Sequence, residues 1–505
     1  MKKYNFLYTI LLAGILTLSY TSCSEEFLDE EPLGIPSSAS LFADEAGAIR
    51  ATNGIYAHLR NWDVLGFPYF GIKELPSDDA DVGSTPGDGS YPRLELINTF
   101  TYDPTVVELN GYWVGSYRGV NRANQVIYNV PDIEMDEELK ARLIAEARFL
   151  RAFYYFNLVR AFGEVPIIDK IYTDPEDARN AVGKSPVEDV YNFILEDLNA
   201  AVGVLPLKSD YPVSELGRAT RGAAQAMLAK VYLFRQDYAN ARDNALAVIQ
   251  SGEYELYPDY RALFFPEQEN GVESIFEAQV IDRDDRAIAN EFTKWQGVRG
   301  QFGWGFNSPT ESLSNAYEEG DPRRTATIFY SGDTLEGANE PYFLPINEGA
   351  MPRANKKALL PLDMQPPGYP ENSPSNFIFL RYADVLLIYA EAANELGQPA
   401  EALPYLNMVR ERARSGNPDV LPDITTTSQA ELREIIWHER RVELAMEGHR
   451  FFDLIRQDAV EPGRAAAVFQ AAGKTNFDIN RHANFPVPQE QVDVSAGALT
   501  QDENW

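Results

Sequence analysis

Apolar residues recur at steps of three and four along much of the chain. The pattern is clearest over 139–162, where Leu143, Ala147, Leu150, Tyr154 and Leu158 mark one face of a helix. A similar period begins near Ala43. Ser185-Pro186-Val187-Glu188 reads as a capping box with proline at the first helical position, opening a helix to about Val202. Ser428-Gln429-Ala430-Glu431 reads as a second box, opening a helix through about Met446.

Two stretches share a finer spacing. Ala229, Tyr232, Ala241, Ala245 and Val248 in 222–250 match Ala390, Ala393, Ala402, Leu406 and Val409 in 383–411, always 161 positions apart. A small residue followed twelve positions later by another is the tetratricopeptide pattern, because paired helices approach closely only where side chains are small. Each such hairpin leaves an apolar face for the next to cover, so the units stack. Between the periodic stretches lie segments rich in Pro, Gly and aromatics, roughly 62–113 and 255–375. They are long for plain connections, and loops of that kind are usually functional when ordered. The expectation is a mostly α fold with long irregular insertions and few short strands.

The N-terminus has a different pattern. Lys2 and Lys3 precede an apolar run from Phe6 to Leu18, too short to span a bilayer and suited to a signal peptide. It leads to Thr21-Ser22-Cys23, and Cys23 is the only cysteine in 505 residues. A lone thiol cannot form an internal disulfide, so Cys23 reads as the acylated residue of a lipobox, with Tyr20 where leucine is usual. Two or more acyl chains would make a lasting tether, whereas one anchors only marginally. Residues 1–22 are thus a lipoprotein signal peptide, and 23–40, acidic and without period, a flexible tether.

Charge narrows the partners. The formal net charge is −32, and removing residues 1–22 takes away two lysines and no acid, leaving −34. No basic run exists to neutralise phosphates, so nucleic acid is not a partner. Attraction to anionic lipid is equally poor, and membrane attachment would have to be covalent.

Several runs together resemble the SusD/RagB family of glycan-binding lipoproteins. Asn121-Arg122-Ala123-Asn124, AEARFLRAFYYFNLVRAFGEVPII (145–168) and GRATRGAAQAMLAKVYL (217–233) resemble its N-terminal half. Phe379-Leu380-Arg381-Tyr382-Ala383-Asp384, AEAANELG (390–397), HERRVELAMEGHRFFDLIR (438–456) and FPVPQEQV (485–492) to Trp505 resemble its C-terminal half. The resemblance implies about four tetratricopeptide-like helix pairs in one compact domain, with 41–255 as its N-terminal part and 256–505 as its C-terminal part. It also implies a lipid-anchored protein at the surface of the outer membrane. There it would capture oligo- or polysaccharide on aromatic loops and deliver it to a SusC-like TonB-dependent transporter. Cargo of peptide or protein, or a surface glycosidase, are the alternatives.

Ring faces stack on the apolar C–H faces of sugars, which makes Trp295, Phe302, Trp304 and Phe306 in the Gly-rich run KWQGVRGQFGWGFNSP the first candidates. Trp304 and Asp321-Pro322-Arg323 also belong to a pattern common across the family. A second candidate stretch runs from Trp62 to Tyr91, with Tyr69, Phe70 and Tyr91 beside Ser77-Asp78-Asp79 and Asp88.

Other chemistry finds fewer parts. Asp78, Asp79 and Asp81 lack the spacing and terminal Glu of an EF-hand, so a solvated acidic loop or helix caps is expected there and no metal. Glu439, Glu443 and Glu447 fall on one helical face near Arg440, Arg441, Arg450 and Asp453, and read as an ion-pair network between helices. His438-Glu439 fails the zincin pattern because Val442 stands where the second histidine belongs. Gly183-Lys184-Ser185 lacks the first glycine of a phosphate-binding loop. No cofactor and no catalytic residues are expected.

Overall fold

The computed structural model describes residues 41–505 apart from 175, 178, 180, 181, 281–290, 347, 348 and 372. The signal peptide, the tether and Cys23 therefore lie outside the described residues. The scaffold consists of four helix pairs: α1 (Glu45–His58) with α2 (Val107–Asn129), α3 (Glu137–Phe162) with α4 (Val187–Val204), α5 (Arg221–Phe234) with α6 (Tyr238–Gln250), and α7 (Tyr382–Glu395) with α8 (Pro399–Ala413). The second helix of each pair packs on the first of the next, and α9 (Gln429–Glu443) packs on α7.

Small residues make this stacking possible. Ala229, Ala241 and Ala245 in the third pair and Ala390, Ala393 and Ala402 in the fourth are all fully buried, as the spacing of 161 predicts. Between α2 and α3 the approach is closer still: a Cβ on Gly119 would meet the Tyr154 ring at 2.3 Å. Gly163, at φ +68°, turns the chain out of α3, a conformation that side chains with a Cβ rarely adopt.

The two expected capping boxes fare differently. Ser428 caps α9 by accepting from Glu431 N, although the Glu431 carboxylate accepts from Thr426 Oγ1 at 2.6 Å. Ser185 caps nothing. It is held in a β-bridge to Val165, and Pro186 takes the cap position of α4 with no side-chain bond.

The insertions, 59–106 between α1 and α2 and 251–381 between α6 and α7, carry three two-stranded antiparallel sheets. These are β1 (Ala80–Gly83) with β3 (Phe306–Pro309), β2 (Ser274–Ala278) with β6 (Phe377–Arg381), and β4 (Ile328–Tyr330) with β5 (Arg353–Asn355). The first matters most for the site. Its register pairs Ala80 with Pro309 and Gly83 with Phe306, so one insertion is bonded to the other.

The acid row near the end of α9 is a buried network, as expected, but its arginines come from elsewhere in the chain. Arg323 reaches Glu439 at 2.5 Å and Glu443 at 3.0 Å, while Arg381 reaches Glu443 at 2.6 Å and Glu447 at 2.7 Å. Arg410 joins at Glu439 and Arg412 at Glu443. Burial alone would raise the Glu443 carboxyl, yet Arg412, Arg381 and Arg323 outweigh it and hold it far below the carboxylate range. Helix α9 stops at Glu443, so Glu447 enters this network from the turn that follows.

The Asp78-Asp79 pair corrects the expectation of a solvated loop. Both are buried, with Arg441 reaching Asp78 at 2.8 Å and Asp79 at 2.7 Å, and Arg450 reaching Asp78 at 2.7 Å. Two arginines distant in sequence supply the counter-charge that burial demands. Asp81 accepts from Asn98 Nδ2 instead.

Candidate functional site

The site grows from the Gly-rich turn. A short helix, Glu291–Gln296, stops where Gly297 lies so close to the returning chain that a Cβ there would sit 1.7 Å from Phe302 O. The chain folds back through hydrogen bonds from Trp304 N to Lys294 O (2.9 Å) and from Gly305 N to Gly297 O (2.8 Å). This return sets Trp304 against Trp295, with centroids 4.5 Å apart and planes at 87°. Phe67 packs 4.5 Å from Trp295, and Lys294 Nζ lies 4.8 Å from the Trp295 centroid and 5.3 Å from that of Trp304.

Most of the predicted aromatics turn inward, which corrects their reading as ligand contacts. Trp295, Phe302, Phe306, Tyr69 and Phe70 are all buried, and Phe306 and Phe70 have no exposed surface. The reason is local crowding. Phe302 is stacked edge-on to Tyr342 at 5.0 Å inside a satellite core, and Phe306 faces Phe67 at 5.1 Å. Tyr69 and Phe70 belong to a short helix, Phe67–Lys73, in which every residue is buried, and Tyr69 spends its hydroxyl on Glu447 O. Tyr91 is partly buried at the start of helix Tyr91–Asn98, where burial and then Glu95 raise its phenol. Trp304 differs: it is 39% exposed.

Polar groups collect at the Trp304 backbone. Arg299 Nη1 donates to Ser84 Oγ at 2.6 Å, to Asp88 Oδ2 at 3.2 Å and to Trp304 O at 3.3 Å. Ser84 N bonds to Gly305 O, continuing the β1–β3 ladder into the site. The two stretches singled out in the sequence therefore converge on one place. Arg299, Ser84 and Phe67 were not among the predicted site residues. Arg299 stood in the same Gly-rich run as Trp304, a cation amid aromatic residues, and that was the signal available. Among the described residues no cluster of three or more His, Cys, Asp or Glu is arranged to hold a metal ion.

Residues 272–505 match the model of the SusD family, and 90–233 match a family described as starch-binding and associating with the outer membrane. SusD-like protein P2 of Formosa agariphila is 32% identical over 97% of both chains. The chain belongs to the SusD family. A SusD-like protein of Bacteroides ovatus is similar at 30% identity over 88% of this chain and 82% of its own. A solved laminarin-binding SusD-like protein superposes with a TM-score of 0.77 at 28% identity, covering 92% of this chain and 100% of its own. No described helix of this SusD-family protein is long and apolar enough to cross a membrane.

A second open indole lies on the α2 side. Trp62, 37% exposed, borders a cleft of about 460 Å³ with Asn110, Arg118 and Glu490. Arg118 is bonded to Asp63 at 2.8 Å and Asn110 to Glu490 at 2.7 Å, so the cleft's polar groups are held in place.

Proposed function

We propose that this SusD-family protein captures glycan on the Trp304 face and passes it to a SusC-like TonB-dependent transporter without cleaving it. Acylated Cys23 tethers it to the outer membrane. The observation that carries the reading is the exposed Trp304 ring, braced by Trp295, with the Arg299–Asp88 pair bonded to the same turn through Trp304 O. An aromatic face takes the C–H face of a pyranose, while a few placed polar groups set orientation and selectivity. Arg299 supplies donors and Asp88 an acceptor, the pair that adjacent sugar hydroxyls need.

The same geometry supports capture rather than hydrolysis. Glycoside cleavage uses two carboxyl groups facing each other across the scissile bond. At this rim the carboxylate of Asp88 is engaged with Arg299, which suits a holding role. The names of the relatives point the same way, since one is a laminarin-binding protein.

Affinity electrophoresis through gels containing laminarin, starch or other polysaccharides tests the proposal. The wild-type chain should be retarded by at least one glycan, and Trp304→Ala should migrate freely. Equal retardation of both proteins, or reducing ends released over hours, would overturn it.

A further inference from the structure

Lys73 ends the helix Phe67–Lys73 and is only 5% exposed. Its ammonium sits 4.3 Å from the Tyr69 centroid and has no carboxylate or hydrogen-bond partner among the described residues. It lines a cavity of about 20 Å³ together with Arg160, Lys230 and His449. Gly448 holds the wall close, since a Cβ there would lie 3.1 Å from Lys73 Cδ and 2.5 Å from the Tyr69 hydroxyl.

The counter-charges do not balance. Half-buried Arg160 donates to Phe156 O at 3.2 Å and Asn157 Oδ1 at 2.8 Å, both neutral, and has no ion pair among the described residues. Lys230 shares Asp384 with Arg440, at 3.0 and 2.9 Å. Glu447, the carboxylate on the cavity wall, is taken by Arg381 at 2.7 Å and Lys357 at 2.6 Å. Glu74, next in sequence to Lys73, is pushed up to about 8 by burial, so it offers no charge at neutral pH.

We propose that this cavity is a site for one small inorganic anion of halide size, held by Lys73 with Arg160 and Lys230. Burial, with Arg160 and Lys230 nearby, pushes the Lys73 amine well below the usual lysine range, so its charged form needs a counter-ion to persist. A water needs acceptors as well as donors. Three acceptors on this wall already hold a donor: Asn157 Oδ1 holds Arg160, Glu447 holds its two cations, and His449 Nδ1 holds Lys230 at 3.0 Å. Lys73 Nζ, which has no hydrogen-bond partner among the described residues, and the Arg160 guanidinium put donors on this wall, which suits an anion. The volume admits one water-sized body and so excludes sugar acids and phosphate. Arg160 and His449 keep partial exposure, which gives an ion a way in. The bound ion would tie the inserted helix to α3 through Arg160 and to α5 through Lys230.

The test uses the wild-type chain crystallised with sodium bromide and diffraction at the bromine edge. An anomalous peak beside Lys73 Nζ is expected, and a cavity without one after full exchange overturns the proposal. In solution, the melting temperature should be about 2 °C or more higher in sodium bromide than in sodium gluconate at equal ionic strength. That difference should vanish in Lys73→Met. A variant that folds and keeps the full bromide increment would also overturn it, and the crystal result decides if the variant does not fold.

Discussion

Trp304 stands edge-on to Trp295 at 4.5 Å, and of the two only Trp304 keeps an open face. The buried indole acts as the support and the exposed one as the platform. A rigid ring presented on a braced turn loses little freedom when a ligand stacks on it.

This division of labour separates two substitutions. Trp304→Ala should weaken glycan binding about five- to tenfold, by loss of a stacking contact of roughly 1–1.5 kcal/mol, with little change in melting temperature. Phe302→Ala should do the reverse, costing about 3–5 kcal/mol of stability because it empties a packed core position. Binding isotherms beside thermal melts would show whether the two effects part in this way.

The buried ion pairs predict a steep contrast with those at the surface. Glu443→Gln leaves Arg323, Arg381 and Arg412 short of their shared carboxylate and should cost about 3–5 kcal/mol. Glu434→Gln breaks a pair with Arg464 at the solvent edge and should shift stability by less than about 1 kcal/mol. Denaturant titration of both variants measures the difference.

Acid should destabilise this fold through carboxylates whose values lie low in the folded chain. Burial opposes ionisation of Asp78, yet Arg450 and Arg441 bring it to about 2, and Arg381 and Lys357 bring Glu447 to about 2 against the same penalty. A folded value below the unfolded one gives stability that is full above about pH 4 and lost as pH falls toward 2. Melting temperatures between pH 7 and pH 2 should show their main decline in that window.

Glu74 carries the opposite sign. Its folded value of about 8 lies above the unfolded one, so its contribution is full below about pH 4 and is lost as pH rises through 8. Glu74→Gln, whose amide oxygen can still accept from Gly448 N, should therefore stabilise the chain by about 1–2 kcal/mol at pH 8 and by little at pH 4. A variant less stable than wild type at pH 8 would refute the assignment.

The tether has its own check. Cys23→Ala should abolish fatty-acid labelling and release the protein from the membrane fraction, because a chain of net charge −32 has no electrostatic hold on anionic lipid. Persistence of the variant in the membrane fraction would count against acylation at Cys23.

How far the amino-acid sequence carries can be judged residue by residue. The repeat of small residues at Ala229, Ala241, Ala390 and Ala402 foretold paired helices because close approach is a local steric requirement, written into each helix face. The acid row at Glu439 and Glu443 was legible as a network for a similar reason, since helical spacing puts those carboxylates side by side. Their partners were not legible. Arg323 and Arg381 arrive from the second insertion, and Asp78 and Asp79 are buried only because Arg441 and Arg450 meet them across the fold.

The site shows the same limit. Gly-rich spacing placed Trp295, Phe302, Trp304 and Phe306 in one turn, but composition cannot say which ring in a turn faces water. That was decided by the pairing of Gly83 with Phe306, which brings Ser84 and Asp88 to Arg299, and by the packing that buries Trp295, Phe302 and Phe306 while leaving Trp304 open. Local spacing determines which residues can share a face. Which face is left exposed depends on contacts between segments far apart in the chain, and only the folded structure brings those together.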